Sequence, residues 1–188
     1  MIARTAKPDD APLKRVNIIQ GEMRVSSDPA IVLTTVLGSC IAACLYDPDA
    51  RVGGMNHFLL AEPGGEQPDP ASMHRYGVYA MEVLINGMLA KGATRRNLRA
   101  KLYGGASMNR ALRDIGGSNS RFAREFLRQE GIILAAEDVG GCSARRVEFR
   151  AGLGLARCRS VTDKPAEAIA RRVAPPPPPA STGDVEFF

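Results

Sequence analysis

The sequence has no tryptophan, and aromatic residues make up only 5% of its 188 positions. So few rings exclude the stacking platforms that single-stranded nucleic acids require. No reading helix is recognisable either. The formal net charge of +5 is therefore read as a solvated basic surface, or a face for an acidic protein partner, and not as a nucleic-acid site. Long hydrophobic runs are also missing. None approaches the length that crosses a bilayer. The opening segment, MIARTAKPDDAPLKR, is polar and has no signal-peptide core. The expected compartment is the cytoplasm, without membrane insertion. Cysteine is sparse: Cys40, Cys44, Cys142 and Cys158. In that compartment they are expected as reduced thiols and not as a disulfide framework. Histidine is sparser still, with only His57 and His74.

What is present fits one domain with a substantial core. Residues 1–15 read as a loose leader, 16–161 as the folded domain and 162–188 as a Pro-rich tail. Residues 16–25 hold an early strand, and residues 31–36 a β-rich one. Residues 62–71 form a Gly/Pro-rich loop. Met81, Leu84, Ile85, Met88 and Leu89 recur at helical spacing, with Gly92 placed to end that helix. Residues 98–103 read as a strand entering Gly104-Gly105-Ala106-Ser107-Met108. A second helix is expected to start at Asn119 or Ser120, both good caps, and to stop at Gly131. A strand over 132–136, a polar loop over 137–141 and a closing hairpin over 147–158 complete the domain. The tail carries Pro175 to Pro179, an extended linker by composition. Strands, helix, strand, helix, strands is the order of a single-domain layered α/β (α+β) sandwich. The Gly104–Met108 stretch lacks the spacing of a phosphate-binding loop.

The chemistry concentrates in Thr34 to Leu60. Residues 41–46 and 52–60 are strand-length and flank Asp47-Pro48-Asp49-Ala50, a type I turn by composition. A hairpin closed by that turn sets Asp47 opposite Ala50 and Tyr46 opposite Arg51. In the same register Cys40 is directly opposite His57, with Cβ atoms about 5 Å apart. An imidazole at that distance can take a thiol proton and make a nucleophile. The base needs a third group to hold its ring, and Thr34 or Thr35 offers a hydroxyl. Gly38-Ser39 makes a tight turn whose backbone N–H groups can bind an oxyanion. A metal site from Cys40, Cys44 and His57 is outweighed, because the spacing matches no standard zinc pattern. Cys142 and Cys158 read as structural, and His74 as a surface residue.

The same segment resembles the chemoreceptor glutamine deamidase CheD family of bacterial chemotaxis. The family places a threonine six residues before the cysteine of a GSC motif, and a histidine seventeen residues after it. Here these are Thr34, Gly38-Ser39-Cys40 and Gly54-Met55-Asn56-His57. Further likenesses are Arg75-Tyr76-Gly77, Gly104 to Met108, and Ala136 to Gly141 with Ala144-Arg145. One position departs from the pattern: Ser118 stands where the family usually has arginine. The resemblance implies a layered α/β sandwich that hydrolyses glutamine side-chain amides on methyl-accepting chemoreceptors. It implies Cys40 as nucleophile, His57 as base and Thr34 as its orienting group, with no metal or organic cofactor. It also implies a CheC-type phosphatase as a regulatory partner. A non-catalytic adaptor, with the terminal Asp184 to Phe188 as a docking peptide, is the competing expectation.

Overall fold

The computed structural model of the protein describes residues 12–60, 70–107 and 114–161. The expected tail, most of the leader and of the loop over 62–71, and Met108 lie outside the described residues. Among the described residues, nine strands and two α-helices follow one another: β1 (Lys14–Asn17), β2 (Met23–Ser26), β3 (Ile31–Leu37), β4 (Ile41–Asp47), β5 (Val52–Asn56), α1 (Pro70–Ala90), β6 (Arg99–Gly104), α2 (Ile115–Gln129), β7 (Ile133–Val139), β8 (Arg145–Arg150) and β9 (Leu155–Ser160). They form a four-stranded sheet, β1-β3-β8-β9, and a five-stranded sheet, β2-β5-β4-β6-β7. The expected layered α/β sandwich is what the chain builds.

Two apolar layers hold it together. Leu33, Leu37, Ala42, Cys44, Met55, Val147 and Phe149 fill the space between the sheets. Ile41, Ala43 and Leu45 alternate to the other face of β4 and pack under α1 and α2 with Met81, Leu84, Ile85 and Met88. The centre of the five-stranded sheet is thus covered on both sides, and β4 and β5 read as nearly unbroken buried runs. The stripe expected on the first helix is the stripe that α1 buries.

Four expectations need correction. The hairpin closes through four residues, because Asp47 pairs with Val52 and Tyr46 with Gly53. Asp47 sets this longer loop. Its Oδ1 accepts from the backbone N–H groups of Asp49 (2.9 Å) and Ala50 (3.0 Å), and its Oδ2 from that of Thr94 (2.9 Å). Arg51 completes the turn in the left-handed region, at φ 54°. The register is therefore displaced by two residues, and Cys40 and His57 are not directly opposed.

The first helix begins at Pro70, two residues inside the expected loop; proline suits a helix's first turn, where its missing N–H costs nothing. The second begins near Asp114, whose carboxylate accepts from Gly117 N at 2.9 Å. Asn119 and Ser120 are buried inside it and do not cap it. Gly116 lies inside this helix, and its lack of a side chain is what lets α2 lie against the Gly105 and Ala106 carbonyls. Finally, Glu137, Asp138 and Val139 belong to β7 and not to a loop, because the parallel ladder to β6 continues to Gly104–Val139.

Candidate active site

Strand β4 starts one residue after Cys40, and β5 ends one residue before His57. Past the paired Cys44 and Met55, Asn56 interrupts the ladder: its Oδ1 accepts from Ala43 N at 3.0 Å, and its Nδ2 donates to Ala80 O at 2.9 Å. Ile41 and Phe58 then pair again as an isolated bridge. Cys40 and His57 each precede a member of that bridge. They are diagonal neighbours on the inter-sheet face, a spacing of about 7–8 Å that an imidazole can still cross.

His57 is held on one side only. Its Nδ1 lies 3.0 Å from Thr35 Oγ1 and 3.3 Å from the Ile18 carbonyl oxygen. Thr35 Oγ1 donates to that same carbonyl at 2.8 Å. A hydroxyl has one proton, and here the Ile18 oxygen receives it. Both neighbours therefore act as acceptors toward the ring, and Nδ1 carries the ring proton. Nε2 is left with a lone pair, buried and without a partner among the described residues. The hydroxyl on the ring is that of Thr35 and not of Thr34, which corrects the expected assignment. Along β3, Leu33, Thr35 and Leu37 face inward, and Thr34 lies on the opposite face beside Asn17 and Glu148.

The segment between β1 and β2 is tied to the same histidine. Gly21 N donates to His57 O at 2.8 Å, and His57 N donates to Glu22 O at 3.0 Å. Gln20 sits in this turn, and Cys40 Sγ donates to its Oε1 at 3.5 Å. No motif in the sequence singled out Gln20.

Cys40 and the two residues before it are fastened by their carbonyls. Gly38 O accepts from Ala106 N (2.8 Å), Cys40 O from Gly105 N (2.7 Å) and Ser39 O from Asn119 Nδ2 (2.8 Å). Gly104, at φ 107°, passes so close that a Cβ there would overlap the Cys40 carbonyl oxygen. Behind it, buried Arg145 donates to Asp138 Oδ1 (2.9 Å), Gly140 O (2.6 Å), Gly104 O and Ser143 O. Ser107 N donates to Gly141 O at 2.8 Å. As a helix cap Asn119 would be a local signal; no motif in the sequence points to this other duty.

Burial pushes the Cys40 thiol above its ordinary range, and its own backbone N–H pulls weakly the other way. Burial pushes His57 below its ordinary value, and its hydrogen bond to the Ile18 carbonyl offsets part of that. At rest the pair is a neutral thiol beside a neutral imidazole. The other cysteines and His74 stand apart. Cys44 is fully buried between the sheets, its thiol pushed far up by desolvation. Cys158 is pushed up to about 12, first by burial and then by Asp138. Cys142 is exposed. His74 is exposed and meets the Phe122 ring edge-on at 5.5 Å. Ser118 is exposed, and its Oγ accepts from Arg121 at 3.0 Å. No described helix is long and apolar enough to cross a membrane.

Comparison with known proteins follows the same lines. A family model described as CheD chemotactic sensory transduction matches residues 59–160. Similar full-length proteins span the earlier half, with Cys40 and His57, as well. A probable chemoreceptor glutamine deamidase CheD from Zymomonas mobilis is 58% identical over the whole of both chains. One of the same description from Caulobacter sp. strain K31 is 50% identical, again over the whole of both. Another from Agrobacterium fabrum is 46% identical over 95% of this chain and 99% of its own. Among solved structures, the Bacillus licheniformis protein YfiH overlaps 61% of this chain and 49% of its own, at 15% identity and TM-score 0.42. The full-length identities and the matching family model are decisive: this chain belongs to the CheD family.

Proposed function

We propose that the chain is a protein-glutamine deamidase that converts glutamine side chains of methyl-accepting chemoreceptors to glutamate, with Cys40 as nucleophile and His57 as base. One observation carries the mechanism. The His57 ring is anchored through Nδ1 while Nε2, on the face it shares with Cys40, is buried and unpartnered. A base needs that arrangement: one nitrogen fixed, the other free to take a proton.

The substrate carboxamide displaces the Gln20 amide from Cys40. The Cys40 thiol gives its proton to His57 Nε2 as sulfur adds to the amide carbon. Thr35 and the Ile18 carbonyl stabilise the imidazolium through Nδ1–H. The oxyanion faces the amide N–H groups of the Gly38-Ser39-Cys40 turn, whose carbonyls are turned away into bonds with Ala106, Asn119 and Gly105. The tetrahedral adduct collapses as His57 protonates the departing nitrogen, releasing ammonia and leaving a thioester. Water, deprotonated by His57, then hydrolyses the thioester to glutamate and free Cys40. Because both groups are neutral at rest, charge develops only during attack, inside a site that already holds its dipoles in place. In this reading Thr35 is the positioning residue. Thr34, its neighbour in the family motif, acts through the backbone: its carbonyl receives Ile18 N at 2.8 Å and so places the carbonyl that touches His57.

The chain works in the cytoplasm on the receptors' cytoplasmic segments, without a cofactor, and a CheC-type phosphatase regulates it. Residues 16–161 form the deamidase domain, preceded by the leader and followed by the Pro-rich tail. The test is peptide mass spectrometry of purified receptor cytoplasmic fragments after incubation with the wild type or with Cys40→Ala. Glutamine-to-glutamate conversion is expected only with the wild type, and the variant should lose about 10⁴-fold or more in rate. Binding without conversion by the wild type would instead favour the adaptor.

A further inference from the structure

Among the described residues, the outer face of the four-stranded sheet carries Arg15 on β1, Arg146 and Arg150 on β8, and Arg157 and Arg159 on β9, against one acid, Glu148. That is an excess of four positive charges on one face of a chain whose formal net charge is +5. Both described helices pack on the other sheet, so neither lies over this one. Glu148 is already engaged: it pairs with Arg15 at 3.3 Å and lies opposite Arg157. Arg146 lies directly opposite Arg159, and like charges so placed on adjacent strands repel. Among the described residues no acid forms an ion pair with Arg146 or Arg157. Arg15, Arg146, Arg157 and Arg159, with Glu148, line a basin of about 230 Å³. Apolar side chains stand among them: Val36 is 45% exposed and Leu155 57%.

Arginines interleaved with exposed aliphatic side chains suit a polypeptide that offers carboxylates and apolar groups together. A nucleic acid fits less well, because none of the described residues puts an aromatic ring on this face to stack on a base. The face also adjoins the site. Val36 is four residues before Cys40, so at most about 14 Å of chain separates the edge of the arginine surface from the nucleophile.

We propose that this arginine face is an exosite for an acidic, amphipathic segment of the protein substrate, gripping the receptor beside the glutamine that Cys40 attacks. The inference rests on the deamidase reading for the identity of the partner. Chemistry links the two, since each turnover replaces a neutral carboxamide by a carboxylate and makes the substrate a better ligand for arginine. The face therefore selects acidic stretches, and the Cys40 site selects glutamine.

The test pairs Arg146→Glu with Arg159→Glu in one variant. One like-charged pair replaces another, both side chains are exposed, and unchanged thermal unfolding checks that the fold survives. Calorimetric binding to a purified receptor cytoplasmic fragment is compared at low and high salt, beside turnover of a short uncharged glutamine peptide from the same receptor. The variant should bind the fragment roughly tenfold or more weakly and show a flatter salt dependence. Its turnover of the peptide should be unchanged. An unaltered dissociation constant would overturn the exosite, as would a wild type that does not bind the fragment. If the wild type binds the fragment but converts neither substrate, the deamidase reading fails and the exosite stands or falls on the dissociation constants alone. If duplex DNA or anionic vesicles lose binding to the variant while the receptor fragment does not, the face belongs to another polyanion and the exosite is overturned.

Discussion

The two sheets of this protein sit in different surroundings. The central strands β4 and β5 of the five-stranded sheet are buried on both faces, between α1 and α2 on one side and the second sheet on the other. The four-stranded sheet is buried on one face and open on the other, and its strands alternate accordingly: β8 reads buried, exposed, buried, half-buried along Arg145 to Glu148. The candidate active site lies where the two meet. The five-stranded sheet carries Cys40 and His57 at the ends of β4 and β5, and the four-stranded sheet supplies Thr35. The central strands of the five-stranded sheet carry the candidate reacting groups, and the four-stranded sheet supplies the hydroxyl that touches the candidate base.

This contrast is testable, first through stability. Leu45 is fully buried under the helices and Val36 is 45% exposed. Leu45→Ala should cost about 2–5 kcal/mol in denaturant unfolding, and Val36→Ala less than about 0.5 kcal/mol. Equal costs would mean that the open face is covered by something.

The next effect is catalytic and separates two adjacent threonines. Thr35→Val removes the hydroxyl from His57 Nδ1 and should lower kcat about 10–100-fold, with Thr35→Ser restoring most of it. Thr34→Val points away from the ring and should change kcat far less. A larger loss at Thr34 than at Thr35 would refute the assignment.

Acidity gives a directional prediction. His57 must be neutral to act as base, and burial holds its pKa below the ordinary 6.5. The base form therefore persists to lower pH, and the acid limb of kcat/KM should fall below pH 6.5. A limb at or above that value would contradict a buried, neutral base. The smallest effect belongs to the open sheet. Arg146→Glu alone turns the repulsive pair with Arg159 into an attractive one, and should raise stability by about 0.2–1 kcal/mol while weakening receptor binding. A gain in stability bought at the expense of binding is what separates a surface kept for a partner from a surface that merely faces solvent.

Much of the site was legible beforehand because its residues are local. Gly38-Ser39-Cys40 and His57 lie in one hairpin, so turn chemistry and strand alternation suffice to put cysteine and histidine on one face. The displaced register kept that parity, since a shift of two residues leaves every side chain on its own side. The shift itself was not legible, because Asp47 stabilises the longer loop partly through Thr94, a residue far along the chain. Asn119 misled for a related reason: as a helix cap it is a local signal, and its true partner is the Ser39 carbonyl.

The sequence by itself determined the layered α/β class, the α1 stripe and the placing of a thiol and an imidazole on one face of a hairpin, since these depend on periodicity and on spacing within one hairpin. Only the tertiary structure decided that Thr35 meets His57, that Gln20 rests on Cys40 and that the arginines of β1, β8 and β9 share one open face. Each of these brings together strands or turns that are distant in the chain. Their register is set by how two sheets and two helices share a core, and no local pattern encodes it.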